Sequence, residues 1–418
     1  MVTRPVVRLA ALLVPLALSA CATPSARYVL PEVVVGERSF ARAVEAHTLS
    51  GILAGNRVRV LLNGDEIFPA MLAAIRGAQR SITLANYVYE DGDVADQIAR
   101  ALAERCRAGV GVSVLVDAVG SHRMTEENRE LLKRSGCHFE RFRPLNPLNF
   151  RRVNERNHRR SLVVDGRAGF TGGTGIGTKW TGDGRRAFHW RQTDVTVEGP
   201  VVRDLQASFA ETWRDTTGVL LGGDAYFPDL DPHGETLAQV VRSSPGGGSP
   251  EAYNLFLLAI EGARRSIDIT TPYFVPDDGI AAALERAVAR GVRVSVLVAS
   301  QVDNFVDRMV RTASRGSFGR ALEGGVRIYE YPRAMLHAKT ATVDGMWATI
   351  GSINFDNRSF SLNHEVNLVV YDAGVARQLE EIFRADLGFA REITLDAWKR
   401  RGLGRVLEPI LLPLRNQL

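Results

Sequence analysis

The stretch His337-Ala338-Lys339, followed by Asp344 and Gly351-Ser352-Ile353-Asn354, recurs upstream as His158-Arg159-Arg160, Asp165 and Gly172-Gly173, each matched position 179 residues from its partner. A chain carrying two such half-sites is constrained to build one composite site from two related lobes. On a strand, residues i and i+2 share a face, so His337 stands beside Lys339 and His158 beside Arg160, and imidazole and cation address one ligand. The runs 340–343 and 161–164 are mostly apolar or β-branched, as buried strands require, and each is followed by Asp-Gly, a turn. The glycine-rich segments follow. Gly173 and the set Ser352 and Asn354 offer backbone N–H groups, a hydroxyl and an amide, donors suited to phosphate oxygens.

Two further repeats support duplication. Ala74-Ile75-Arg76-Gly77-Ala78-Gln79-Arg80-Ser81-Ile82 parallels Ala259-Ile260-Glu261-Gly262-Ala263-Arg264-Arg265-Ser266-Ile267, identical at seven of nine positions, and residues 108–116 parallel 290–298. Each lobe reads helix, strand, helix, strand, motif strand. That alternation predicts an α/β fold of two duplicated lobes, each a mixed sheet flanked by helices, packed face to face with one active site between them. The length of 418 residues suffices for two lobes, and a hydrophobic content of 45% with 24% charged residues is globular. The lobes are expected over residues 56–221 and 251–395. Residues 222–250, with the turn-forming run 243–250, read as the linker, and 396–418 as a basic amphipathic tail.

The spacing resembles the phospholipase D superfamily, whose motif is H-x-K-x4-D followed by G-G/S-x-N. The second copy matches throughout. The first places Arg160 where the family has lysine and Gly175 where it has asparagine; arginine keeps the charge but presents a broader planar fork. Within the superfamily the resemblance is to bacterial cardiolipin synthases, through residues 86–91, Arg156-Asn157-His158-Arg159, Asn354 to Phe360, and Asn363-His364-Glu365-Val366-Asn367. It implies phosphatidyl transfer to an alcohol such as phosphatidylglycerol through a phosphohistidine, with His158 as nucleophile and His337 as acid/base. Arg160 and Lys339 would neutralise the nonbridging oxygens. An acid from the opposite lobe would orient each imidazole, Glu365 on His158 and Asp194 on His337. Asp165 and Asp344 match the motif acids, but seven residues of strand at roughly 3.3 Å each carry them out of the histidines' reach, so they are expected to hold turns.

The other histidines share no ligand spacing, and Cys106 and Cys137 form no C-x-x-C pattern; neither metal nor cofactor is expected. Cys106 and Cys137 fit a disulfide or two buried thiols equally. Arg4 and Arg8 precede an apolar run too short to span a bilayer and then Leu18-Ser19-Ala20-Cys21, the form of a lipoprotein signal. Residues 1–20 would be removed and Cys21 lipidated, with 21–55 a linker and the protein held at the periplasmic face of the outer membrane. The mature charge falls from +5 to +3, 50 basic residues against 47 acidic. That mild excess does not call for nucleic acid. The positives gather instead between Arg141 and Arg160, suiting a rim that meets anionic headgroups at a membrane surface. Phospholipids are the expected substrates, Tyr87, Tyr89, Tyr273 and Phe274 the candidate walls of a second lipid site, and no partner protein is indicated. The same site also fits a hydrolytic phospholipase D or a nuclease, and a degenerate first motif fits a noncatalytic envelope lipoprotein.

Overall fold

The computed structural model describes residues 28–144, 154–244, 250–302 and 305–401, without the side chains of 305–307. Residues 1–27, which hold the expected signal and Cys21, lie outside the described residues, as do Arg151, Arg152, 245–249 and 402–418.

The first lobe contributes β1 (Leu53–Leu62), β2 (Ser81–Asn86), β3 (Gly111–Asp117), β4 (His138–Phe142), β5 (Ser161–Val164), β6 (Ala168–Gly172) and β7 (Thr193–Glu198). The second contributes β8 (Thr236–Ser243), β9 (Ser266–Thr270), β10 (Phe274–Val275), β11 (Arg293–Ala299), β12 (Arg327–Tyr331), β13 (Thr340–Val343), β14 (Trp347–Gly351), β15 (Phe355–Asp356), β16 (Glu365–Tyr371) and β17 (Arg391–Ile393). The spatial order is β1-β7-β6-β5-β2-β3-β4 in one lobe and β8-β16-β14-β13-β9-β11-β12 in the other, with β17 added at the second edge. Strand for strand the two orders are the same, which is the duplication written in topology. β2, β3 and β4 pair in parallel through helical crossovers, as do β9, β11 and β12, while the motif strands β5 and β13 pair antiparallel on both sides. β10 and β15 form a separate parallel pair.

Burial explains which segments became strands. Every residue of β2 and β5 is buried, because helices cover the parallel part of each sheet. The lobes meet through a shared apolar core that includes Val163, Val195, Val197, Ile350, Val366 and Leu368. At one corner β1 and β8 are paired, at Leu53–Ala238 and Asn56–Thr236, so one sheet order runs through both lobes.

This corrects two expected boundaries. Residues 222–250 are not simply a linker, since β8 runs through them and pairs with β16 along seven positions. Residues 21–55 contain the helix Arg38–Thr48, whose Phe40 and Val44 join the core of the second lobe. Both elements are buried by neighbours distant in sequence, β8 by β16 and the helix by the core of the second lobe. At the other end Trp398, in the short helix Leu395–Lys399, packs on Phe318 at 5.4 Å between ring centroids. The start of the expected tail therefore closes over the second lobe.

Cys106, on the helix Asp93–Arg107, and Cys137, entering β4, form a disulfide with Cα atoms 5.5 Å apart. The bond closes a loop of 31 residues in sequence. Closing a loop of that length in the unfolded chain is worth roughly 3–4 kcal/mol. A Cys106→Ser/Cys137→Ser double variant should lose stability on that scale in denaturant unfolding; an unchanged midpoint would show that the bond constrains nothing.

Candidate active site

Both motif histidines sit just before their strands, held there by pairing across the lobe boundary. Asn157 bridges to His364 and Arg191 to Leu336, each in parallel. The His158 N–H donates to the His364 carbonyl at 3.0 Å, and the His337 N–H to the Arg191 carbonyl at 2.9 Å. Asp117, at the end of β3, accepts from the Asn157 N–H at 3.0 Å and braces the first of these segments. Arg191 carries an ion pair to Asp386 of the second lobe at 2.9 Å, bracing the other. Both arginine and aspartate are buried, where an ion pair needs such added hydrogen bonds to repay desolvation. Neither Asp117 nor Arg191 is visible as a site residue in sequence, since each acts on backbone far from it in the chain.

The His158 Nδ1 donates to both carboxylate oxygens of Glu365, at 2.8 and 2.9 Å, across the boundary. The Ser352 hydroxyl donates to the same carboxylate, and it accepts from the Val366 N–H at 2.9 Å. Nδ1 therefore carries the proton and Nε2 faces the cleft. Arg160 spans back over this ring, donating to the His158 carbonyl at 3.0 Å and standing 3.1 Å from Nε2. Lys339 repeats the first contact in the second half, with Nζ donating to the His337 carbonyl at 2.7 Å.

His337 is oriented differently from the expectation. Asp194 does not reach it; its Oδ1 accepts from the Gly173 N–H and the Thr174 hydroxyl, both at 2.9 Å. The His337 Nδ1 instead meets the Gly173 carbonyl at 3.1 Å and the Gln192 side chain at 2.8 Å. With its amide oriented to satisfy both atoms, the Gln192 oxygen accepts from His337 Nδ1 and from the Trp180 indole at 3.1 Å, and its nitrogen donates to the His337 carbonyl. Strand register explains the substitution. Gly172 pairs with Asp194 exactly as Gly351 pairs with Asn367, so the counterpart of Glu365, two residues earlier, is Gln192. An acid was sought at a position where this chain has an amide.

The glycine segments also depart from expectation. The N–H groups of Gly351, Ser352, Ile353 and Asn354 are already given to Lys339 and Val366 carbonyls, the Asn367 amide oxygen and the Ser359 hydroxyl. Gly173 gives its N–H to Asp194, as above. These residues build the floor rather than a phosphate cradle, and of the expected donors the half-buried Asn354 side-chain amide is the one with no hydrogen bond among the described residues. Gly175 is glycine for a steric reason. A Cβ there would lie 2.7 Å from the Trp180 ring, which is buried in the space a side chain at 175 would need. Trp180 packs at a tilt against Trp190, centroids 4.7 Å apart, and Trp190 lies 5.1 Å from the His337 ring.

Asp165 and Asp344 sit away from the histidines, at left-handed backbone positions with φ of 55°. Asp165 accepts from the N–H groups of Gln79, Arg80 and Ser81, and Asp344 from those of Arg264, Arg265 and Ser266. Each acid thus holds the start of the duplicated strand β2 or β9, which is why the two repeated motifs travel together. Of the proposed lipid walls, Tyr89 and Phe274 are core residues, whereas Tyr87 lies over the His158 ring at 5.0 Å, half-buried. The arginine cluster is also largely internal: Arg159 is wholly buried against Glu211 and Ser244, Arg156 is buried beside Asp117, and Arg143 pairs with Glu155.

Burial, then the neighbouring Arg160 and Lys339 charges, hold the His158 imidazole well below its ordinary range; burial, then Lys339 and Arg160, do the same to His337. Burial pushes the Glu365 carboxyl up to about 7 and that of Asp194 up to about 6. Burial and Arg160 drive Lys339 downward. Arg160 and Lys339 thus crowd positive charge against both imidazoles, a repulsion that Glu365 and Asp194 offset in part. An entering anion relieves it and raises the basicity of both imidazoles.

Two histidines from duplicated strands, facing one cleft between matched sheets, define a phospholipase D-type active site. Among solved structures the chain is similar to phosphatidylserine synthase of Haemophilus influenzae Rd KW20, with a TM-score of 0.66 at 14% identity over 90% of this chain and 96% of that one, a likeness of fold. Residues 256–387 match the family described as "Cardiolipin synthase, PLD-like domain". Cardiolipin synthase A of Pseudomonas entomophila (strain L48) is 38% identical over 86% of this chain and 76% of its own length, and that of Pseudomonas aeruginosa (strain LESB58) is 38% identical over 87% and 73%. The chain belongs to the cardiolipin synthase family of the phospholipase D superfamily.

Gly175→Asn, which restores the family residue, should cost about 1–3 kcal/mol by overpacking against Trp180, and less in a Trp180→Leu background, as read from a double-mutant unfolding cycle. A second outcome concerns pH. Glu365 binds its proton more tightly folded than unfolded, so its contribution to stability is complete below the unfolded value of 4.5 and is lost as pH rises through about 7. Glu365→Gln should flatten that part of the stability profile relative to the parent chain; equal slopes between pH 5 and 8 would contradict it.

Proposed function

We propose that this chain is a phosphatidyltransferase that carries the phosphatidyl group on His158, releases and activates alcohols with His337, and uses phosphatidylglycerol as donor and acceptor. The observation that carries the assignment of roles is the asymmetry of the two orienting groups: a buried carboxylate on His158, a neutral amide and a carbonyl on His337. A phosphorylated imidazole that keeps its Nδ1 proton is cationic, and Glu365 offers the counter-charge that His337 lacks.

In the first half-reaction Nε2 of His158 attacks phosphorus. The P–N bond forms as the P–O bond to the headgroup alcohol breaks, and His337, which takes up a second proton at Nε2 from solvent when the anionic phosphodiester binds, gives that proton to the departing oxygen. Arg160 and Lys339 take the nonbridging oxygens, and the phosphate competes Arg160 away from the Nε2 lone pair it covers at rest. In the second half-reaction an acceptor hydroxyl gives its proton to His337 and attacks phosphorus, and the P–N bond breaks. His158 is returned neutral. The resting imidazoles suit both tasks, because a neutral His158 has a lone pair to give and His337 gains basicity once the anionic phosphodiester is bound.

A membrane location for the protein follows from such substrates. Among the described residues no helix is long and apolar enough to cross a membrane, and lipidation at Cys21, toward the periplasmic face of the outer membrane, is the attachment that the amino-terminal sequence favours.

Purified, detergent-solubilised protein incubated with phosphatidylglycerol should form cardiolipin, read by lipid mass spectrometry, and should lose it with His158→Ala. His337→Ala, given a phosphatidyl donor whose leaving group needs no protonation, such as a nitrophenolate, should accumulate an acid-labile phosphatidyl adduct on the peptide bearing His158. An adduct on His337 in the reciprocal variant would exchange the roles, phosphatidic acid as sole product would make the enzyme a hydrolase, and histidine-independent activity would overturn the reading.

A further inference from the structure

One cation beside the cleft has no part in the steps above. Lys179 follows the glycine segment of the first lobe, in the short 3-10 turn Thr178–Trp180. Its ammonium lies over both tryptophans, 4.6 Å from the Trp180 centroid and 4.5 Å from that of Trp190. The backbone fixes this arrangement, since the Trp190 N–H donates to the Lys179 carbonyl at 2.7 Å. Glu90 takes one of the three ammonium protons at 3.1 Å. The remaining protons have no hydrogen-bond acceptor among the described residues, and the lysine side chain keeps 25% of its surface open. An ammonium set against two aromatic rings is attracted by both while its long stem is immobilised.

The position matters because Trp190 also borders His337, so Lys179 is one ring away from the imidazole assigned to the incoming alcohol. We infer that Lys179 is the specificity residue on the acceptor side: its ammonium binds the phosphate of an anionic glycerophospholipid whose free hydroxyl is presented to His337. This rests on the transferase reading and deepens it. In phosphatidylglycerol three carbons separate the attacking hydroxyl from the oxygen that bears phosphate, so an acceptor aligned on His337 carries its own charge outward toward the tryptophan pair. A headgroup ending in a quaternary or primary amine meets the opposite situation. The aromatic faces that would receive it are already occupied by a like charge. The structural feature is local to this lobe, because the matching positions of the second lobe, Asn357 and Arg358 among them, form a helical turn capped by Asp356 and no tryptophan pair.

The test uses partitioning of one intermediate. The full chain in detergent micelles is given phosphatidylglycerol with added choline, and cardiolipin, phosphatidic acid and phosphatidylcholine are quantified together for the parent protein, Lys179→Gln and Lys179→Arg. All three products arise from the same phosphohistidine, so any effect on the donor cancels from their ratios. The ratio of cardiolipin to phosphatidic acid should fall about tenfold in Lys179→Gln, the loss of one charge-assisted contact. It should be held within about twofold by Lys179→Arg, and phosphatidylcholine should rise against cardiolipin in Lys179→Gln. Ratios equal to those of the parent, including a uniform loss of all products, would overturn the inference. A parent protein that forms no histidine-dependent product overturns the transferase reading instead. Binding then judges Lys179 alone: water-soluble glycerophosphoglycerol should perturb tryptophan fluorescence in His158→Ala, and about tenfold more weakly in His158→Ala/Lys179→Gln. Equal titrations would refute the assignment.

Discussion

The crossed pairing of backbone at the lobe boundary is the interaction on which the site depends. The segment that carries His158 is hydrogen-bonded to the segment that leads into Glu365, and the one that carries His337 to the segment that leads into Gln192. Each histidine therefore belongs covalently to one lobe and electrostatically to the other. Separate the lobes and both imidazoles lose the group that fixes their proton on Nδ1. The buried pairs Arg191–Asp386 and Arg156–Asp117, with Arg159 threaded among Ser208, Ser243 and the Glu365 carbonyl, spend ion pairs and hydrogen bonds on this boundary where apolar packing would have carried no directional information.

The duplicated halves have diverged in a chemically directed way. Both keep the cation that bonds back to its own histidine carbonyl, and both keep the acid that starts the neighbouring strand. They differ in the orienting group, Glu365 against Gln192, and in the space beside the glycine segment, where Gly175 yields its volume to Trp180. The Gly175 departure from the family motif is therefore no sign of decay. Position 175 has no side chain, the Trp180 ring takes the space, and the indole N–H steadies the amide that holds His337. Arg160 is a similar case, a broader cation that reaches both the carbonyl and the ring of His158.

Much of this was legible in the chain itself. The offset of 179 between half-sites, the i, i+2 placement of histidine and cation, the strands 161–164 and 340–343, and the remoteness of Asp165 and Asp344 are local properties, governed by strand geometry. Fold class followed from the repeats. β8 and the helix Arg38–Thr48 were not recognised, although the helix has an apolar stripe at Phe40 and Val44; what buries each of them is a set of neighbours distant in sequence. Nor was the Cys106–Cys137 bond, which requires a helix and a strand edge to meet.

The sequence by itself determined that two half-sites exist, which side chains bring nucleophile, proton and positive charge to them, and the family whose motif they follow. Tertiary structure decided the partners. Between the glycine segment and the strand that supplies the orienting group, the first lobe has six more residues than the second, so the offset of 179 that links the half-sites falls on Arg186, the acid expected from the resemblance was Asp194, and strand register selects Gln192. Hydrogen-bond register between strands is set by packing of whole sheets, and a residue's partner across a boundary of that kind is a long-range fact that no window of sequence contains.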